Sequence, residues 1–256
     1  KTRRLGKTDL QVSEIGFGGE WLERHPEEES IELIHYASSK GINILDCWMA
    51  DPKSRDIIGK GIKDNRSQWF IQGHIGSTWK DKQYFRTRDM KYVRPAFEDL
   101  LKRLQTDYID IYLIHWPDVN TPLEETADTL KELKKAGKIR FSGISNFEDN
   151  DLEQLYTLGV LDVIQFPYSM VNRSQEQLLK KYHGKGVATM GYGSLGAGIL
   201  TGSIRELPHF EPGDARLGFY DFFVEPKFSR VMKLVGVLDE IALKRQVPVA
   251  QVTINW

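Results

Sequence analysis

Seven short apolar runs punctuate the chain: Glu14–Gly18, Ile42–Cys47, Trp69–Gly76, Ile109–Trp116, Ile139–Ser145, Val163–Pro167 and Val187–Tyr192. Continuous apolar runs of this length suit strands covered on both faces, as in a parallel sheet. Between them, Pro26–Ser39, Ser54–Lys63, Arg88–Leu104, Pro122–Ala136, Asp149–Leu158 and Ser174–Tyr182 space their apolar residues as amphipathic helices do. Thr121-Pro122 predicts an N-cap with proline at the first helical position, and Glu124 and Glu125 suit the first turn. Gly41, Gly137 and Gly186 predict helix ends ahead of the second, fifth and seventh strands. Such repeated alternation means parallel strands joined by crossover helices. The expectation is an α/β fold of the (β/α)8, or TIM, barrel type. The opening RRLGKTDLQVSEIG adds a hairpin turning at Gly6–Asp9.

The strand pattern stops at seven. After an irregular stretch, Ser203–Glu225, a helix over Pro226–Gln246 and the helical VAQVTINW follow. A closed barrel needs an eighth strand to remove its open edge. The expectation is therefore one barrel domain over residues 1–256, with the eighth strand and C-terminal helix missing from this chain.

Composition narrows the class of protein. The 256 residues carry 35 basic and 36 acidic side chains, mixed along the chain, and this predicts no nucleic-acid partner. One cysteine excludes an intrachain disulfide or a cysteine-rich metal centre. No apolar run approaches the ~20 residues that span a bilayer. A cytoplasmic protein with no membrane partner is expected; oligomeric state is not legible.

In a (β/α)8 barrel the chemistry sits at the carboxyl ends of the strands. Those ends read Asp46-Cys47-Trp48, Gly73-His74, His115-Trp116, Ser145-Asn146, Gln165-Phe166 and Tyr192-Gly193-Ser194-Leu195-Gly196. A second acid, Asp51, follows in the loop after the second strand. The spacing of the two histidines and two aspartates demands no metal site. Cys47 reads as a small buried residue.

The motifs RLGKTDLQVSEIGFGG, GINILD, LQTDYIDIYLIHWPD, AGKIRFSGISNF, DVIQFPYSMVNR and GYGSLGAGILTG, taken in order, resemble the successive signatures of the aldo-keto reductase family. The resemblance implies carbonyl reduction by hydride transfer from NADP(H), acting on a small-molecule aldehyde or ketone. It implies a tetrad of aspartate, tyrosine, lysine and histidine, matched here by Asp46, Asp51, His74 and His115. The tyrosine and lysine positions are thus both replaced. A carboxyl of pKa about 3.9 cannot donate a proton at neutral pH as a phenol of about 10 can. His115, near 6.5, is then the expected acid. By the same resemblance Ser145, Asn146 and Gln165 hold the nicotinamide carboxamide, and Tyr192 stacks on its ring. Gly193, Ser194, Leu195 and Gly196 meet the diphosphate, while Trp21, Trp48 and Trp116 wall the substrate pocket. The replaced tetrad leaves three readings: a reductase with altered proton delivery, a catalytically inactive nucleotide-binding relative acting as sensor or partner subunit, or an engineered or chimeric barrel scaffold.

Overall fold

The computed structural model describes residues 1–48, 52–80, 83–118, 120–212, 214 and 216–256. The chain opens with strands β1 (Thr2–Arg4) and β2 (Gln11–Ser13), then β3 (Phe17–Gly18), helix α1 (Glu27–Ser39), β4 (Ile44–Cys47), α2 (Pro52–Ile62) and β5 (Phe70–Ile75). A second hairpin, β6 (Ser77–Lys80) and β7 (Gln83–Arg86), precedes α3 (Met90–Leu104). The alternation resumes with β8 (Ile109–Ile114), α4 (Leu123–Lys135), β9 (Ile139–Ser145), α5 (Asp149–Thr157), β10 (Val163–Pro167), α6 (Glu176–Gly184) and β11 (Ala188–Tyr192). Helices α7 (Arg216–Phe219), α8 (Lys227–Arg245) and α9 (Val249–Asn255) end the chain.

All seven expected strands join one sheet in the order β11-β10-β9-β8-β5-β4-β3, with neighbours from β3 through β10 parallel. This is the strand order of a (β/α)8 barrel, of which the described residues supply seven strands. Gly41, Gly137 and Gly186 take φ of 82°, 72° and 81°, as helix-ending residues do.

Ser77–Thr87, which none of the seven apolar runs includes, contains the β6–β7 hairpin. One expectation is corrected. Thr121 does not cap α4: its hydroxyl donates to Asp118 Oδ2 at 2.7 Å, and Pro122 occupies the cap position. The carboxylate is the stronger acceptor, so it takes the hydroxyl that would have turned to the helix.

The chain divides into two compact units, residues 1–165 with 181–190, and residues 166–180 with 191–256. In the first, the N-terminal hairpin turns at Thr8, whose Oγ1 donates to Leu5 O at 2.6 Å. Leu5, Leu10 and Val12 then pack on Ile44, Ile111, Leu113, Val163 and Ala188 of the sheet. Gly6 makes that approach possible, since a Cβ there would stand 2.6 Å from the Ala188 backbone nitrogen. In the second unit, α8 buries Phe228, Val231, Val235 and Leu238. The three- and four-residue spacing turns this stripe onto Ile199, Leu200, Phe222 and Phe223.

Candidate active site

Parallel register builds the centre of the site. Asp46 on β4 lies opposite Gln72 on β5, and His74, two residues on, lies opposite Leu113 of β8. Side chains two apart on a strand share a face, so Gln72 and His74 point the same way. Asp46 Oδ1 bonds His74 Nε2 at 2.8 Å, while Oδ2 accepts from Gln72 Nε2 at 2.7 Å and Gln165 Nε2 at 3.1 Å. Three strands, β4, β5 and β10, thus converge on one carboxylate. Burial pushes the Asp46 carboxyl up, but the charge and hydrogen bond of His74, aided by Gln165, outweigh it and hold the group below the usual carboxylate range.

His115 follows β8, with its ring centre 5.0 Å from that of His74 and 5.1 Å from that of Trp116. Its Nε2 accepts from Trp48 Nε1 at 3.4 Å, a long contact for an N–H bond. Burial, reinforced by His74 and only partly opposed by Asp46, drives the His115 imidazole down to about 3. The expectation of an acid near 6.5 is therefore corrected: at neutral pH His115 is uncharged. The Nδ1 atoms of His74 and His115 are both buried without a hydrogen-bond partner.

Beside His115, Asn146 adopts φ 63°, a left-handed conformation that Asn tolerates better than most side chains. This turns its Nδ2 to His115 O at 3.2 Å and Ser145 Oγ at 3.0 Å. Trp48 and Trp116 flank His115. Trp21 is 42% exposed, and its ring carries the Arg24 guanidinium at 3.5 Å. Cys47 is fully buried, and burial pushes its thiol up. Asp51 lies outside the described residues.

Tyr192, Gly193, Ser194, Leu195 and Gly196 belong to the second unit. There Tyr192 O accepts from Tyr168 N at 3.0 Å, and burial with Tyr220 nearby lifts the phenol to about 12. Gly193 and Gly196, at φ 66° and 57°, bound a turn closed by Gly196 N on Gly193 O at 2.8 Å.

Sequence reasoning passed over Gln72, although its two-residue spacing from His74 was a usable signal. It also passed over Glu20, on the turn after β3, whose carboxyl is raised by what burial it has and by Asp46 and Glu23. No group of three or more potential metal-ligating side chains occurs among the described residues. No helix among them is long and apolar enough to cross a membrane.

Strand order and the placing of polar side chains at strand ends define an α/β barrel with its candidate site at the carboxyl end, and a model of the Aldo/keto reductase family matches residues 14–256. The chain belongs to that family, whose members are oxidoreductases of carbonyl compounds. It is 37% identical to the aldo-keto reductase YhdN of Bacillus subtilis over 251 residues, 94% of this chain and 76% of that protein. It is 29% identical to the NADH-specific methylglyoxal reductase of Escherichia coli, covering 98% of this chain and 84% of the relative. Among solved structures, the glycerol dehydrogenase AKR11B4 from Gluconobacter oxydans superimposes with a TM-score of 0.89 at 29% identity, covering 100% of this chain and 82% of that one.

Proposed function

We propose that the chain is an NADP(H)-dependent reductase of small aldehydes and ketones in which His115 supplies the proton and the His74–Asp46 pair positions its ring. The observation that carries this reading is the continuous line Asp46–His74–His115, with a 2.8 Å hydrogen bond at one end and adjoining rings at the other.

The residues present suit an amide ligand such as nicotinamide, which needs donors and acceptors side by side. Ser145, Asn146 and Gln165 offer a hydroxyl and two amides, with Asn146 fixed by its own bonds to His115 O and Ser145 Oγ. Bound there, the nicotinamide would supply the hydride. The chain's own part is to orient the carbonyl and protonate its oxygen. A neutral His115 polarises that oxygen by a hydrogen bond from Nε2, in the tautomer opposite to the one that accepts from Trp48, so the carbonyl replaces that long contact. As the developing alkoxide takes the Nε2 proton, solvent water restores it, while the 2.8 Å bond to Asp46 holds the His74 ring beside His115. Neither Nδ1 atom has a hydrogen-bond partner, so His74 positions His115 and does not pass it a proton.

Titrating NADPH and NADH against tryptophan fluorescence, then measuring reduction of simple aldehydes, tests the reading. Tighter binding of NADPH with turnover is expected. Replacing His115→Asn should lower kcat by ~10²–10⁴ with cofactor affinity unchanged. Failure to bind either nucleotide overturns the proposal, whereas binding without turnover supports the inactive nucleotide-binding relative. Asp51→Tyr combined with His74→Lys should raise turnover, since that pair returns a phenolic donor.

A further inference from the structure

Arg86, the last residue of β7, is exposed, and its guanidinium lies 4.1 Å from the centre of the Trp116 ring. Among the described residues it forms no ion pair, unlike Arg66, Arg103, Arg140, Arg205 and Arg216. Stacking on an indole leaves the N–H edge of a guanidinium facing outward, in the planar fork that matches a carboxylate or phosphate. The charge is felt at His115, whose imidazole it helps to depress.

Arg86 also lines a cavity of about 450 Å³ with Thr87, Thr121 and the carboxylates of Asp89, Asp118 and Glu125. The carboxylate of Asp118 does not compete for it. Its Oδ2 accepts from Arg88 N at 2.9 Å and Thr121 Oγ1 at 2.7 Å, and Oδ1 from Asn120 N at 2.9 Å.

We propose that Arg86 selects carbonyl substrates bearing an anionic head, a carboxylate or a phosphate, and that the stack on Trp116 sets their length. This rests on the carbonyl-reductase reading above. The Arg86–Trp116 and Trp116–His115 separations, 4.1 and 5.1 Å, place the guanidinium and the His115 ring no more than about 9 Å apart. With about 3 Å taken up by each hydrogen bond, only compounds with a few carbons at most between the carbonyl and the anion can bridge the two groups. Short oxo acids and phosphorylated short aldehydes meet that limit; long-chain and bulky neutral carbonyls gain nothing from the arginine.

The test compares succinic semialdehyde with butanal, and glyceraldehyde 3-phosphate with glyceraldehyde, in the intact protein and in Arg86→Gln. The structure leads us to expect a higher kcat/KM for the anionic member of at least one pair. That preference falls ~10–100-fold in Arg86→Gln with the neutral member unchanged, as loss of a charged hydrogen-bonded pair implies. Arg86→Lys should restore only part, lacking the fork. The two pairs tell a carboxylate from a phosphate preference. A second arm, independent of turnover, titrates succinate and inorganic phosphate against tryptophan fluorescence with and without NADPH. Reduction of butanal with no Arg86-dependent preference in either pair overturns the proposal and leaves the reductase reading intact. Arg86-dependent succinate or phosphate binding with no reduction of any aldehyde sustains the anion site and overturns the reductase reading. Absence of both overturns the two together.

Discussion

His115 is held neutral by its surroundings, and this has a measurable cost in acid. Its imidazole binds a proton near pH 6.5 in the unfolded chain but only near 3 in the fold. Between those values the unfolded state holds more protons, so stability is full above pH 6.5 and falls as pH drops toward 3. At pH 4.5 the loss is about 2 to 3 kcal/mol relative to pH 7, and His115→Phe should flatten the profile by that amount in urea titrations at the two pH values. Asp46 acts at lower pH. Its depressed carboxyl contributes stability above the usual carboxylate range that is lost as pH falls through the folded value. The kinetic counterpart is a reductase without an acidic limb from His115 near pH 6.5. A kcat profile breaking there and abolished by His115→Asn would contradict the neutral assignment.

At the level of elements, Asp110 ties the sheet together below the site. This β8 carboxylate, 1% exposed, accepts from Ile71 N of β5 at 2.9 Å, Arg66 at 2.9 Å and Arg140 of β9 at 2.8 Å. Arg140 also reaches Asp9 in the first hairpin at 3.0 Å. Removing one member of a buried charge network strands the others, so Asp110→Ala should cost ~3–5 kcal/mol in urea unfolding at pH 7. Gly6→Val should destabilise through the hairpin, because Gly6 combines φ 55° with a close approach to Ala188; a midpoint equal to that of the unchanged chain would contradict this. These elements differ in how legible they were. The parallel strands announced themselves because burial on both faces leaves uninterrupted apolar runs such as IDIYLI. The β6–β7 hairpin did not, because STWKDKQYFR mixes charge with aromatics and lacks a glycine or asparagine turn. Thr121 was misread because the competing acceptor, Asp118, matters through a fold-dependent turn that helix-capping rules do not consider.

Across the whole molecule, the barrel order and much of the candidate site were readable because position at a strand's carboxyl end already implies convergence. Asp46, His74, His115, Trp48, Asn146 and Gln165 meet one another as that rule anticipates. What was not readable depends on surroundings: the neutral state of His115 comes from burial and a second imidazole, and Arg86 matters only through the face of Trp116 it covers. The single thiol has a consequence of its own. Cys47 is the neighbour of Asp46 on β4 and is sealed from solvent. A thiol reagent can reach it only when that strand opens, so its labelling rate in native buffer is an internal clock for fluctuations of the stave that carries Asp46. The rate should fall when nucleotide is bound and rise in Asp46→Ala, and modification as fast as that of a small free thiol would mean the stave is never closed.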